Sequence, residues 1–207
     1  MNKRVVMIVL FAILASLSLS AGIGTVTVTG FYTMATGTET YYIGAPFESE
    51  SKFNDVGVKV QGTSFFSPAS PFGLSYMASA SKTLSSTMNG VAYDATADPW
   101  TWAFGGGAAF RISKSSEMYF EVGAGVEYAF RIKTLGGSTV DIRQLSATGH
   151  AHINYALLHN IFLSTGVSVS YPLWGENRVP VGGLTALGDY TSTVITIAPS
   201  VGLSFTY

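Results

Sequence analysis

The 207-residue chain contains no cysteine. That excludes disulfide staples, thiolate metal centres and attachment of a lipid to an N-terminal cysteine. Charge is scarce too. Asp, Glu, Lys and Arg make up 11% of the residues, against roughly 25% in soluble domains. A soluble β-sandwich needs a charged outer surface, and this chain has too few charges to cover one. The net charge of −1 provides no electrostatic footprint for a nucleic acid. After the N-terminus no run is apolar enough for a transmembrane helix, which takes ~20 residues. No Ser/His/acid set stands at a spacing useful for nucleophilic catalysis.

Glycine and aromatic residues are well supplied, at 23 residues and 13% of the chain respectively. Both suit β-barrels with narrow interiors and aromatic girdles. The N-terminus has Lys3 and Arg4, then the apolar run Val5 to Leu14, then small residues through Ser18, Ser20 and Ala21. This is the pattern of a cleavable signal peptide over 1–21, leaving 22–207 as the mature domain.

The stretch Met118 to Lys133 carries the clearest periodicity. Met118, Phe120, Val122, Ala124, Val126, Tyr128, Phe130 and Ile132 form one apolar set; Tyr119, Glu121, Gly123, Gly125, Glu127, Ala129, Arg131 and Lys133 form the other. Strict alternation indicates a strand with two unlike faces. Its length, about twice the usual 5–6 residues, suits a membrane-crossing strand whose apolar face meets lipid. Seven further strands follow from the same reading: Ile23 to Met34, Phe53 to Phe66, Phe72 to Lys82, Trp100 to Ser113, Val140 to Tyr155, Ile161 to Tyr171 and Ile195 to Tyr207. The connections alternate in length. Ala35 to Ser51, Thr83 to Pro99 and Pro172 to Asp189 read as long outer loops. Ser67-Pro68-Ala69-Ser70-Pro71, Lys114 to Glu117 and Ala156 to Asn160 read as short turns, and Gly136-Gly137 as a modest loop. The fold class is therefore all-β: an eight-stranded antiparallel transmembrane barrel with long loops on the extracellular side.

The last residues, Val201-Gly202-Leu203-Ser204-Phe205-Thr206-Tyr207, resemble the C-terminal assembly signal of bacterial outer-membrane proteins, with Val201, Leu203, Phe205 and Tyr207 as its alternating positions. Together with the leader and the strand number, the mature chain resembles the small eight-stranded outer-membrane barrels: the OmpA membrane domain, OmpX and OmpW. The resemblance implies a location in the bacterial outer membrane, outer-membrane lipid as the surroundings, and insertion by the barrel-assembly machinery. It implies no cofactor.

The polar faces supply a lumen set: Lys59, Gln61, Arg111, Glu121, Glu127, Arg131, Arg143, His150, His152 and Asn154. An eight-stranded barrel is just wide enough for side chains to fill it. These groups read either as a paired, hydrogen-bonded plug or as the lining of a narrow polar pore. His150 and His152 share a face, but without a cysteine or a well-placed carboxylate they do not define a metal site. Some eight-stranded barrels are lipid-modifying enzymes, and the lipid A deacylases carry His-x-Ser facing lipid. Here the nearest match is His150-Ala151-His152, facing inward, so no catalytic residue is assigned. Gly105-Gly106-Gly107 lies inside a strand, where it marks close packing or a bend rather than a phosphate loop.

Pro199 stands mid-strand, where it removes a ladder donor. It reads as a bulge or a locally unpaired carbonyl, or as a weak seam between the eighth strand and a neighbour. Barrels similar to OmpW are thought to release apolar solutes sideways through such gaps. The outer loops hold Tyr41, Tyr42, Phe47, Tyr93, Trp174 and Leu184, with acids at Glu39, Glu48, Glu50, Asp94, Asp98 and Asp189. Binding commonly resides in loops on a rigid scaffold. Three functions stay open at this point: a non-enzymatic scaffold with extracellular interaction loops, a narrow channel for small or hydrophobic solutes, and a lipid-modifying enzyme.

Overall fold

The computed structural model describes residues 24–42, 45–67, 70–95, 98–113, 117–135, 138–181 and 184–207. The leader expected at 1–21 lies outside the described residues, as do Pro68-Ala69, Lys114-Ser115-Ser116 and Gly136-Gly137 of the expected turns. Ten strands follow in order: β1 (Gly24–Tyr42), β2 (Pro46–Phe65), β3 (Phe72–Met88), β4 (Val91–Tyr93), β5 (Thr101–Ser113), β6 (Met118–Leu135), β7 (Ser138–Leu158), β8 (Ile161–Val181), β9 (Leu184–Ser192) and β10 (Ile195–Thr206).

Eight of them form a closed antiparallel ring, β1-β2-β3-β5-β6-β7-β8-β10 and back to β1. The other two extend it at one end. β4 pairs with β3 through a turn at Asn89-Gly90, both in the left-handed region, as a type I′ hairpin requires. β9 continues the line of β10 upward, between β8 and β1. The stagger of the ring can be read from the pairs. Thr25 faces Thr63, which faces Ser75, then Gly107, Gly125, Thr148, Ser170 and Thr196, and Thr196 faces Ala35, ten residues up the strand where the circuit began. With eight strands, that stagger tilts them by about 40° to the barrel axis, within the range of membrane barrels. This circuit runs through the inward face, and its residues are all small. Gly107 and Gly125 oppose each other on it, and a Cβ on either would collide with the facing backbone. The triple glycine of β5 is thus a close approach of two strands.

In the middle of the barrel the alternation puts apolar side chains outside. Val58, Val126, Val167, Val169, Val201 and Leu203 are all exposed. The outward band on β8 runs from Ile161 to Tyr171, which at this tilt spans roughly 25–30 Å of height, the thickness of a hydrocarbon core.

At the top the polarity reverses. The three stretches expected as long loops are largely strand: β1 runs on to Tyr42 against β2 from Pro46, β3 reaches Met88, and β8 and β9 pair above the belt. Here large apolar residues join the inward set, beside a few buried polar groups such as Glu39 and Asn177. Tyr41, Val140, Ile142, Val179 and Tyr190 form a small buried core. The outward face carries charges, with Arg143 opposite Glu176 and Asp141 opposite Arg178, between exposed apolar residues such as Tyr42 and Leu187. Above the membrane the outside is water, so the stable arrangement is the ordinary one, with apolar residues in. Arg143 is accordingly a correction. It shares parity with Leu145, not with Ser146, and lies on the outer surface, where it meets Glu176 at 3.7 Å and Asp141 at 3.3 Å.

Candidate functional site

The lumen has three storeys. The outermost is built around Glu39, whose side chain is completely buried. β1 carries Glu39 and Tyr41 inward, β6 brings Arg131 and Lys133, and β9 brings Tyr190. Lys133 Nζ donates to Glu39 Oε2 at 2.7 Å and to Tyr41 Oη at 3.1 Å. Tyr41 in turn donates to Glu39 at 2.8 Å, and the Tyr190 hydroxyl donates to the other carboxylate oxygen. Arg131 lies 3.8 Å from that oxygen and packs over Phe53, with 4.1 Å to the ring centroid. This cluster stands above Met34, the last aliphatic residue on the outward face of β1; Thr36, Thr38 and Thr40 and then Tyr42 follow it outward. Burial by itself would raise the Glu39 pKa. The charges of Lys133 and then Arg131 outweigh it and hold the carboxyl at about 2. Burial and the Glu39 charge push both tyrosine hydroxyls well up. They therefore stay protonated and donate. Sequence reading assigned Tyr41 and Glu39 to a loop facing solvent; the structure corrects both, and also places Asp98 among the buried residues.

The middle storey is a cavity of about 110 Å³. Asp55, Lys59, Gln61, Glu127, Arg131 and His150 line it, with Phe31, Phe53, Tyr76 and small residues between them. Its volume holds several waters, at ~10–15 Å³ of such space for each. Gln61 bonds His150 Nε2 at 2.9 Å.

The inner storey fills the end of the lumen opposite the Glu39 cluster. Arg111 and Glu121 face each other across β5 and β6 in register and approach to 3.6 Å. Glu121 accepts from Thr63 Oγ1 at 2.7 Å and from Thr25 Oγ1 at 3.4 Å. The Arg111 guanidinium is sandwiched between Phe65 and Tyr119, at 4.0 and 4.3 Å from their ring centroids. Tyr119 packs edge-on against Phe162 and bonds Ser204 at 3.0 Å. His152 reaches Ser164 at 3.3 Å, and Asn154 is buried beside it on β7.

Of the expected lumen residues, the structure brings Arg111 and Glu121 together at the bottom, gathers Lys59, Glu127, Arg131 and His150 around the middle, and sets His152 low on β7. Arg143 lies apart, outside. His150 and His152 are neighbours, with ring centroids 5.6 Å apart. Among the described residues no group of three His, Cys, Asp or Glu is placed to hold a metal. Glu39, Tyr41, Lys133 and Tyr190 are the residues that sequence reasoning left out of the site. Their signal was available: the inward set Thr25, Thr27, Thr29, Phe31, Thr33 and Ala35 runs on, two residues at a time, to Glu39 and Tyr41.

Pro199 points outward on β10. Its strand keeps one register with β1 throughout, so there is no bulge, but the ladder skips the two positions opposite Ala198 and Pro199. Pairing to β8 continues past the proline. The interruption therefore belongs to the β1–β10 joint. Ala198 and Thr33, which flank it inside, also line the middle cavity. At the C-terminus Val201, Leu203 and Phe205 face outward and exposed, and Tyr207 exchanges backbone bonds with Gly24.

No family model and no curated protein matches the sequence. Solved structures do match the fold. Neisserial surface protein A is 14% identical with a TM-score of 0.52, covering 89% of this chain and 97% of that one. Outer membrane protein OprG of Pseudomonas aeruginosa is 12% identical with a TM-score of 0.57, covering 90% and 96%. The chain has the fold of the small eight-stranded outer-membrane β-barrels.

Proposed function

We propose that this protein is an integral protein of the bacterial outer membrane that acts as a closed, non-enzymatic scaffold and presents its extracellular extension to a ligand outside the cell. The observation that carries this reading is the pair of packed storeys above and below the middle cavity. The upper one has a buried carboxylate held by two cations and two tyrosines. The lower one has an Arg–Glu pair clamped between aromatic rings. Separating the partners in either while they stay buried leaves a charge unpaired, at a cost of about 3–5 kcal/mol, which favours the closed lumen. The extension offers exposed aromatic and charged groups, including Tyr42, Phe47 and Trp174, on a strand framework rather than on loose loops. Conductance of the refolded protein in a planar bilayer tests the proposal. A silent bilayer agrees with a closed scaffold, and discrete steps would replace it with a channel.

A second reading, a narrow channel for small apolar solutes, is favoured by one feature. The interrupted β1–β10 ladder at Pro199 adjoins the middle cavity, so a solute leaving the cavity there would enter lipid directly. Pro199→Val restores the missing donor and should slow entry of an apolar dye into vesicles carrying the protein. Equal flux for the two proteins would remove the lateral route.

A further inference from the structure

The middle cavity is built differently from the storeys above and below it. In those storeys each acid meets a base directly: Lys133 lies 2.7 Å from Glu39, and Arg111 stands in register with Glu121. Around the cavity no acid has a base in register on a neighbouring strand. Lys59 stands between Thr29 and Ser79, Asp55 between Thr33 and Thr83, and Glu127 between Gly105 and Ser146. Asp55 and Lys59 are only 3% and 6% exposed. Among the described residues neither they nor Glu127 make a side-chain ion pair or hydrogen bond, and Asp55 Oδ1 is buried without a donor. All three line the cavity, together with Arg131.

Their opposites lie across the bore. Glu127 is within electrostatic reach of Lys59 and Arg131, and Asp55 of Arg131. Glu39 above is already matched by Lys133, so the two acids and two bases of the cavity balance. That balance favours a neutral guest over an ion. Buried charges held apart need a group between them that satisfies both signs. A hydroxyl does this alone, donating to a carboxylate while accepting from an ammonium. The wall also has an apolar part. Phe31 lies against Gly57, where a Cβ would strike its ring, and it lines the same cavity. A molecule with hydroxyls on one side and C–H groups on the other matches both surfaces, whereas water matches only the first. At about 110 Å³ the cavity is well below the ~300 Å³ at which pockets for drug-sized ligands begin, so the molecule is small.

We propose that the middle cavity is a binding site for a small polyol of about the size of glycerol. Its hydroxyls bridge the acids Asp55 and Glu127 to the bases Lys59 and Arg131, and its carbon chain meets Phe31. Binding does not depend on the lumen being closed, but retention does: a guest taken up as the barrel closes stays between the two packed storeys.

Native mass spectrometry provides the test, on protein refolded in equal concentrations of glycerol or of propane-1,3-diol, which lacks the middle hydroxyl. A single glycerol per barrel should appear, at about tenfold the occupancy of the diol. Two variants should each lower it by about tenfold. Lys59→Gln combined with Glu127→Gln removes opposed charges together, and Ser168→Leu fills the cavity from β8. The heat-dependent gel shift of folded barrels monitors folding of both, and the comparison with the diol needs no variant. Equal occupancy by the two compounds on the wild type would overturn the proposal, as would glycerol held undiminished by either folded variant. No adduct of either compound would mean that the cavity holds water only, and would overturn it too. Buffer exchange then separates this site from the closed-scaffold reading. An adduct that survives exchange supports both, and one that forms but washes out supports the site while contradicting the closed lumen.

Discussion

Glu39 illustrates how much a single side chain can decide. It is fully buried, yet its pKa is held down to about 2. A carboxyl whose folded pKa is depressed adds stability that is complete above its unfolded pKa, near 4.5, and that is lost as pH falls towards 2. The shift corresponds to about 3 kcal/mol at neutral pH. Glu39→Gln keeps the shape but leaves Lys133 and Arg131 facing an uncharged amide. It should lower the unfolding free energy in lipid vesicles by about 3–5 kcal/mol at pH 7. The difference from wild type should shrink between pH 4.5 and pH 2, as urea midpoints would show. A gap that stays constant through that range would mean that the carboxylate charge contributes little. The alternation of β1 reaches Glu39, but the Thr, Gly and Tyr residues around it resemble loop composition and mask that signal. By contrast, Arg111 and Glu121 are legible as an inward pair of residue types, and only their mutual register was hidden.

At the scale of the strand, period-2 alternation was enough to find all eight staves within the membrane. It failed at their upper ends for a physical reason. Alternation read as apolar-out assumes a hydrocarbon surround. Once a strand leaves the bilayer the surround is water, and the same strand turns its apolar residues inward. Val140, Ile142 and Val179 keep the inward parity of Thr148 and Ser146 on β7 or its partner on β8, while the charges of Asp141, Arg143 and Glu176 take the outside. That switch explains both the misplaced ends of the long strands and the misplaced Arg143. It also predicts where an added charge is tolerated. Val126→Arg, at mid-belt on β6, should cost ~2–4 kcal/mol. Thr40→Arg, outward on the extension and opposite Glu48, should fall within about ±0.5 kcal/mol. Refolding titrations in vesicles distinguish the two, and equal costs would contradict the polarity switch.

For the molecule as a whole, strand number, handover between long and short connections, and low charge together specify a closed barrel; the stagger of ten residues that shapes it emerges only from the paired strands. The stagger sets the bore, and the bore explains why so few charged residues can fill it. The position of the lipid surface relative to this bore is the decisive property of the fold. The absence of native cysteine makes the direct measurement simple: single spin labels along β8, in the protein reconstituted into vesicles, read against oxygen and a water-soluble relaxing agent. Labels at Val167 and Val169 should respond to oxygen and ignore the aqueous agent, a label at Arg178 should do the opposite, and one at Ser168 should be shielded from both. A Val167 label reached by the aqueous agent as readily as one at Arg178 would contradict the barrel's placement in the membrane.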